Sequence, residues 1–581
     1  MTGLSVTQVL TGGTLGLSSG IDDILVVEVG GRRVLYALNR AESTVIELSS
    51  SPEGNLSIAN SLSLVGPLSA GTEPQLALVT GSSGTVLTVA GLAPASGQVV
   101  SLSATGELGN QQTLSGLGEL KQANGFIAGS TSVIVMAGSS GGLAHFAESG
   151  SGYKAGHGLK DGADSYLADV TAITGFSQAG IVYVATASGV ESGVNIAAVT
   201  ESGLVQTGSL GAADSLPIGA PSDLATVARL NETLLLVAAQ GTSSLSVLSV
   251  ANGVPDLRDH IYDAADTQFR GVTTVSAVTS GDFAYAVAGG NEGGVSLFTI
   301  LPGGRLLHLD SVAEDETVPL ESVAAVEAFV QSNVLSIVVG SGSETGLTRL
   351  AYDLSSNGAV VLADTDAQGA TGTAFDDQLI GSVVGETLSG LNGDDILQDG
   401  RGNDILTGGE GADIFVMTAD GQTDQITDFE PGVDRLDLSA FDFLYDAAQL
   451  AITPTAIGAT VSFGNETIFI TSADEAPLTA TDFPISSVLN VDRPPFLLVG
   501  REIVGTGADD VLNGGPGNDT IAGSGGNDSM FGDAGLDVLS GSLGEDTISG
   551  GNERDTLVGG GGNDLLLGGD GGDLIYGDDW A

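Results

Sequence analysis

From Gly505 to Tyr576 the chain repeats itself every nine residues, and this period limits what it can fold into more than any other feature. The lines read GTGADDVLN, GGPGNDTIA, GSGGNDSMF, GDAGLDVLS, GSLGEDTIS, GGNERDTLV, GGGGNDLLL and GGDGGDLIY. Asp510, Asp519, Asp528, Asp537, Asp546, Asp555, Asp564 and Asp573 hold the sixth place without exception. Leu512, Ile521, Met530, Leu539, Ile548, Leu557, Leu566 and Ile575 hold the eighth. One obligatory apolar place in nine predicts a coil with two short strands per turn and the eighth residue pointing inward. A disordered acidic tract has no reason to keep that column.

Two lines then make one turn, so corners on one side belong to alternate lines. Glycine suits those corners because they use positive φ and leave carbonyls free. Carbonyls and aspartate carboxylates together form an all-oxygen set, which suits a hard cation of calcium's size. The candidate ligands are the eight sixth-place aspartates and the fourth-place glycines Gly517, Gly526, Gly535, Gly544, Gly562 and Gly571. An ion would sit, for example, between Asp519 and Asp537.

An earlier block keeps the same register over residues 372–416: GTAFDDQLI, GSVVGETLS, GLNGDDILQ, DGRGNDILT and GGEGADIFV. It adds Asp377, Asp395, Asp404 and Asp413 at the sixth place, and Gly393, Gly402 and Gly411 at the fourth. Glu386 departs from the pattern, as do Ala508 and Glu553 at fourth places, and weaker ion binding is expected at those corners. The expected load is about six ions in the later coil and two to three in the earlier one.

Seventy-two acidic residues face sixteen basic ones, a net charge of −56. That balance disfavours nucleic acid and anionic membranes as partners and favours multivalent cations. There is no cysteine, so burial and metal must hold the chain. The opening MTGLSVTQVLTGG lacks the basic and apolar regions of a Sec-type signal peptide. No run of eighteen apolar residues suggests a membrane span.

The nine-residue lines resemble the RTX, or hemolysin-type, calcium-binding repeat, G-G-x-G-x-D-x-U-x. The phrase from Asp424 to Ser439, with LTATDF at Leu478 to Phe483, is similar to the C-terminal domain of serralysin-type secreted metalloproteases. The protease is missing: there is no H-E-x-x-H, and the histidines are His145, His157, His260 and His308. The RTX resemblance implies type I secretion by an uncleaved C-terminal signal, hence an extracellular or cell-surface location and contact with that secretion machinery.

Before residue 366 the pattern changes to apolar strands separated by small-residue turns. One phrase recurs: VLYALNR at Val34, VLTVAGL at Val86, VIVMAGS at Val133, IVYVATA at Ile181, LLLVAAQ at Leu234, FAYAVAG at Phe283 and LSIVVGS at Leu335. Seven such phrases, about fifty residues apart, predict a seven-bladed β-propeller. SVTQVL near the start would supply the outer strand of the last blade. The rhythm resembles YVTN/lactonase-type propellers, but none of that family's catalytic residues can be placed on this chain. LRDHIYDAADTQFR, Leu257 to Arg270, is the densest charged and aromatic cluster and reads as a solvated loop insertion; the alternative is a ligand site involving Arg258 and His260.

The expectation is an all-β protein: a propeller over 1–365, a first β-roll over 366–420 and a sandwich-like segment over 421–490. A linker over 491–504 and a second roll over 505–581 complete it. The favoured function is a secreted calcium-binding protein whose propeller binds a glycan, a surface protein or another copy of itself, or serves as matrix. The alternative is a secreted, lactonase-like propeller hydrolase. Charged side chains converging on the propeller axis would distinguish the two.

Overall fold

A computed structural model of the chain describes all residues except 1–2, 12–19, 30, 52–53, 69–74, 82–83, 93–95, 115–119, 139–140, 150–151, 163–164, 213–215, 231, 316, 364–368, 383, 490, 494–501, 517–518, 535, 553, 570–571 and 578–581. The protein is nearly all β. It divides into two compact units, one of residues Met1–Ala212 and Leu216–Pro494, the other of Pro495–Ala581.

Seven four-stranded antiparallel sheets form the propeller. Each recurring phrase is the second strand of a blade, as in Arg32–Asn39, Ile181–Ser188 and Phe283–Gly290. These strands are the most apolar of their blades because sheets pack on both of their faces. The first strand of each blade lies beside that of the next, and Asp23–Val29 lies beside Val323–Gln331, which closes the circle. Ser5–Thr11 pairs antiparallel with Gly346–Asp353, Leu10 opposite Leu347. The N-terminal strand therefore completes the seventh blade, as SVTQVL predicts.

The first roll has two parallel sheets with partners eighteen residues apart, such as Leu379 opposite Leu397 and Leu388 opposite Leu406. The eighth-place Leu379, Leu388, Leu397, Leu406 and Phe415 stack in its core. The coil does not stop where its nine-residue lines stop. Thr423–Phe429 continues one sheet and Arg435–Asp437 the other. Glu466–Ser472 then joins parallel to Thr423–Phe429, and Gly458–Phe463 and Ala451–Pro454 add antiparallel strands at its far side.

Propeller and first roll share an interior. Leu301 and Leu307 of the sixth blade pack with Ile380, Ile396, Ile414 and Val416 of the roll. Buried charges cross the same junction: Arg305 pairs with Asp437, and Arg493 with Asp259. The solvated-loop reading of Leu257–Arg270 is thereby corrected. Val254–Tyr262 is the outer strand of the fifth blade, and Asp259 and His260 are buried. His260 faces Ser246 and Tyr262, its basicity lowered to about 4 by burial, so it is a core residue.

The second roll repeats the first. Ile521 lies opposite Leu539 and Met530 opposite Ile548, again eighteen residues apart. Ile521, Met530, Leu539, Ile548 and Leu557 form its core, flanked by Leu512 and Leu566.

Candidate metal centres

In both rolls the sixth-place aspartates form ladders along the coil. The backbone N–H of one donates to Oδ1 of the aspartate eighteen residues on: Asp519 to Asp537 at 2.7 Å, Asp528 to Asp546 at 2.8 Å, Asp537 to Asp555 at 2.9 Å. Asp510, Asp546 and Asp555 continue the pattern to Asp528, Asp564 and Asp573. In the first roll Asp377 donates to Asp395 and Asp395 to Asp413. A short carboxylate held by a backbone N–H has one oxygen fixed and the other directed at the corner.

That second oxygen is the informative one. Oδ2 of Asp395, Asp404, Asp528 and Asp546 is buried without a hydrogen-bond partner. An ionised oxygen in that position is costly unless a cation meets it. The first-place glycine explains how carbonyls join it. A methyl on Gly559 would lie 2.5 Å from Asp564 Oδ2 and 2.6 Å from the Gly577 carbonyl. The missing side chain thus leaves a cradle between a carboxylate oxygen and a carbonyl oxygen, and Gly514, Gly523, Gly532, Gly541, Gly550 and Gly568 meet their own lines' aspartates likewise. Among the described residues no three acidic or histidine side chains gather into one metal cluster. Carbonyls must therefore supply much of any ion's shell, as calcium accepts.

The fourth-place glycines occupy the positive-φ corners. Gly393, Gly402, Gly411, Gly526, Gly544 and Gly562 have φ between +105° and +147°. Gly517, Gly535 and Gly571 lie outside the described residues, as does Glu553. At the irregular corner, Glu386 turns its carboxylate onto Ser382, whose N–H donates at 3.1 Å. Asp377 and Asp510, at the first line of each coil, are similarly engaged by Thr373 and Thr506 of their own lines.

Stacked carboxylates resist ionising together. Burial, reinforced by the charges of Asp413, Asp377 and Asp376, pushes the Asp395 carboxyl up to about 8. Burial with neighbouring carboxylates likewise raises Asp404 and Asp413 to about 7. A divalent ion would reverse that trend.

The family model for the RTX calcium-binding nonapeptide repeat, in four copies, matches residues 385–416, 504–539 and 540–575. The two coils carry RTX calcium-binding repeats. No curated protein matches the chain. A solved structure described as "Crystal structure of BBS1N in complex with ARL6DN, soaked with mercury" matches 61% of this chain and 97% of that one at 11% identity, with a TM-score of 0.41; that likeness is too loose to bear on function.

Beside the RTX ladders runs a second one, of fifth-place residues, which the sequence reading passed over. It runs in the opposite sense: Asp394 N–H donates to Asp376, Ala412 to Asp394, Asn527 to Asp509 and Glu545 to Asn527. The recurring Asp, Asn or Glu at the fifth place was its visible signal.

The propeller has a site of its own. A polar cavity of about 170 Å³ lies on its axis, lined by side chains of all seven blades, among them Asp23, Gln75, Gln122, Asp223 and Thr274. These side chains lace adjacent blades. Asp23 accepts from Leu76 N–H at 2.6 Å, Asp223 from Val275 N–H at 2.9 Å, and Glu327 from Val26 N–H at 3.4 Å. Asp23 and Asp223 touch the cavity, and Glu327 lies near enough for its charge to bear on Asp23; all three are ringed by protein, so charging them is costly. Burial raises Asp223 to about 6 and Glu327 to about 7, with Asp223 adding to the latter. No helix among the described residues is long and apolar enough to cross a membrane.

Proposed function

We propose that this is an exported calcium-dependent binding protein, whose RTX rolls order on extracellular calcium and whose propeller engages a partner outside the cell. One observation carries the calcium part: buried Oδ2 atoms without protein partners, repeated along the coils beside glycine carbonyls. The named aspartates and fourth-place glycines of both rolls are the proposed ligand set, with about six ions in the second roll and two to three in the first. Extracellular modules bind calcium at roughly 10⁻⁴ to 10⁻³ M, far above cytosolic levels. The rolls would then stay unfolded inside the cell, in a form that a type I secretion channel can pass. The propeller's partner would be a glycan, a surface protein or another copy of the chain.

Calcium titration of the full chain, following heat and β-structure together, tests this reading. Several ions should bind as β-structure rises, and chelator should reverse both. An unchanged spectrum in chelator would rule it out.

The axial cavity favours a second reading, a propeller hydrolase. Asp223 and Glu327 are carboxyls whose raised affinity for protons suits acid or base work near neutrality. Screening lactones and esters with the full chain and with Asp223→Asn decides it: turnover lost in the variant supports the hydrolase, and no turnover leaves the binding reading.

A further inference from the structure

The ring of blades closes where the seventh meets the first. Gln8 and Gln331 of the seventh blade donate across that seam to the carbonyls of Leu56 and Ser51, at 2.9 and 3.0 Å. A cavity of about 270 Å³ lies at the same place, lined among others by Thr7, Gly54, Ser332, Val334, Arg349 and Ala351.

Arg349 sets this cavity apart. It is 5% exposed, and Nε is buried without a partner. Nη1 donates to Thr7 Oγ1 at 3.1 Å and Nη2 to Ser336 Oγ at 2.7 Å, both neutral hydroxyls. Other buried arginines meet acids: Arg305 pairs with Asp437 and Arg493 with Asp259, and the charges of Glu232 and Asp282 bear on Arg229. Among the described residues no acid does this for Arg349, whose basicity burial lowers unopposed. A buried guanidinium without an anion is costly, and in a chain with seventy-two acidic residues an anion was easily supplied. The first blade also holds it in place, since a methyl on Gly54 would strike Nη2.

We infer that this cavity binds a carboxylate carried by a small polar molecule from outside the chain, with Arg349 as its anchor. The fork has five N–H donors, of which two are engaged, and a planar carboxylate takes two side by side. Thr7 and Ser332 are exposed and mark the mouth. The volume admits a molecule about the size of one sugar ring. The net charge of the chain opposes an anion at long range, but physiological salt screens that beyond about 8 Å. The inference gives the propeller's partner a chemistry, and so rests on the binding reading above.

Calorimetric titration of the calcium-saturated full chain with sodium galacturonate, and with galactose as its neutral counterpart, tests it. Galacturonate should bind, and galactose about tenfold more weakly or worse. Arg349→Gln should lose the same factor for galacturonate while its urea midpoint stays level or rises, because an unpaired buried charge is gone. Should R349Q not fold, Ala351→Leu, which fills the cavity and leaves the guanidinium, takes its place with the same loss of binding. No galacturonate binding by the parent chain, or equal affinity in R349Q, overturns the site. Glu53 lies outside the described residues; if Glu53→Gln binds galacturonate where the parent chain does not, the cavity belongs to the chain's own carboxylate and the inference is likewise overturned. Both sugars binding equally to the parent chain and to R349Q would overturn this site and keep the binding reading. Lactone turnover with neither sugar bound would remove both.

Discussion

Arg493 grips both oxygens of Asp259, Nε on Oδ1 at 2.7 Å and Nη2 on Oδ2 at 3.0 Å, across 234 residues of chain. Asp259 lies on the outer strand of the fifth blade, and Arg493 follows the strands appended to the first roll. Burial alone would raise the Asp259 carboxyl, but the guanidinium beside it wins and holds it below the ordinary range. A second buried pair, Arg305 with Asp437, lies in the same junction. The propeller and first roll therefore belong to one compact unit, and calcium bound in the roll should stabilise the blades joined to it.

Breaking that grip should be expensive. Arg493→Ala leaves a buried carboxylate unpaired, a loss of about 3–5 kcal/mol. The expected result is a lower urea midpoint of the propeller signal, with the second roll's calcium response unchanged. A midpoint shift near zero would show that the junction does not couple the two.

The second prediction follows the ladder. Asp537 accepts from Asp519 and donates to Asp555, so it belongs to two rungs. Asp510 donates to Asp528 but has its own carboxylate engaged by Thr506. Asp537→Ala should therefore lose roughly twice as much bound calcium as Asp510→Ala, since each rung frames one ion-sized gap of oxygen donors. Equal losses in a calcium titration would contradict the alternate-line geometry.

Sequence reading succeeded where the pattern was local or repeated. Ile521, Met530, Leu539, Ile548 and Leu557 were visible as core because each sits at the same place in its line. The seven second strands of the blades were visible because two-sided burial leaves a run of small and branched apolar residues. Long-range pairing left no such trace. Asp259 and His260 looked like solvated loop residues because Arg493 is remote in sequence. Asp424 and Asp434, which accept the N–H bonds of Asp404 and Asp413, were hidden by spacings of 20 and 21, which no ninefold search finds. Asp23, Asp223 and Glu327 meet near the axis only because the ring closes, and nothing near them in sequence announces it.

A third prediction concerns a corner glycine. Gly562 has φ +147°, and a methyl there would strike the Gly544 carbonyl of the stacked line. Gly562→Ala should cost about 1 kcal/mol or more in backbone strain alone, and should raise the calcium concentration needed to order the second roll. Gly507→Ala, where an added methyl meets nothing, should leave that midpoint within about 0.5 kcal/mol of the parent chain. Matching midpoints for the two variants would deny the corner its role.

The last prediction is a pH effect from the propeller axis. Glu327 faces the Val26 N–H and the Ser276 hydroxyl, and the charge of Asp223 bears on it. Asp23 is also repelled by both acids and is raised well above its usual range by burial. Glu327 rises from 4.5 to about 7 on folding, so the folded state binds its proton more tightly than the unfolded chain does. The stability it contributes is complete below pH 4.5 and disappears as pH climbs through about 7. Glu327→Gln keeps the acceptor for Val26 and removes the titration. At saturating calcium, which holds the roll carboxylates ionised in both proteins, the variant should gain on the parent chain as pH rises from about 5 to 8. The gain should be on the order of 2 kcal/mol. Urea midpoints at a series of pH values measure it directly. A constant difference between the two proteins across that range would mean that Glu327 is ionised in the folded propeller at every pH, and that the axial acids do not share a proton cost.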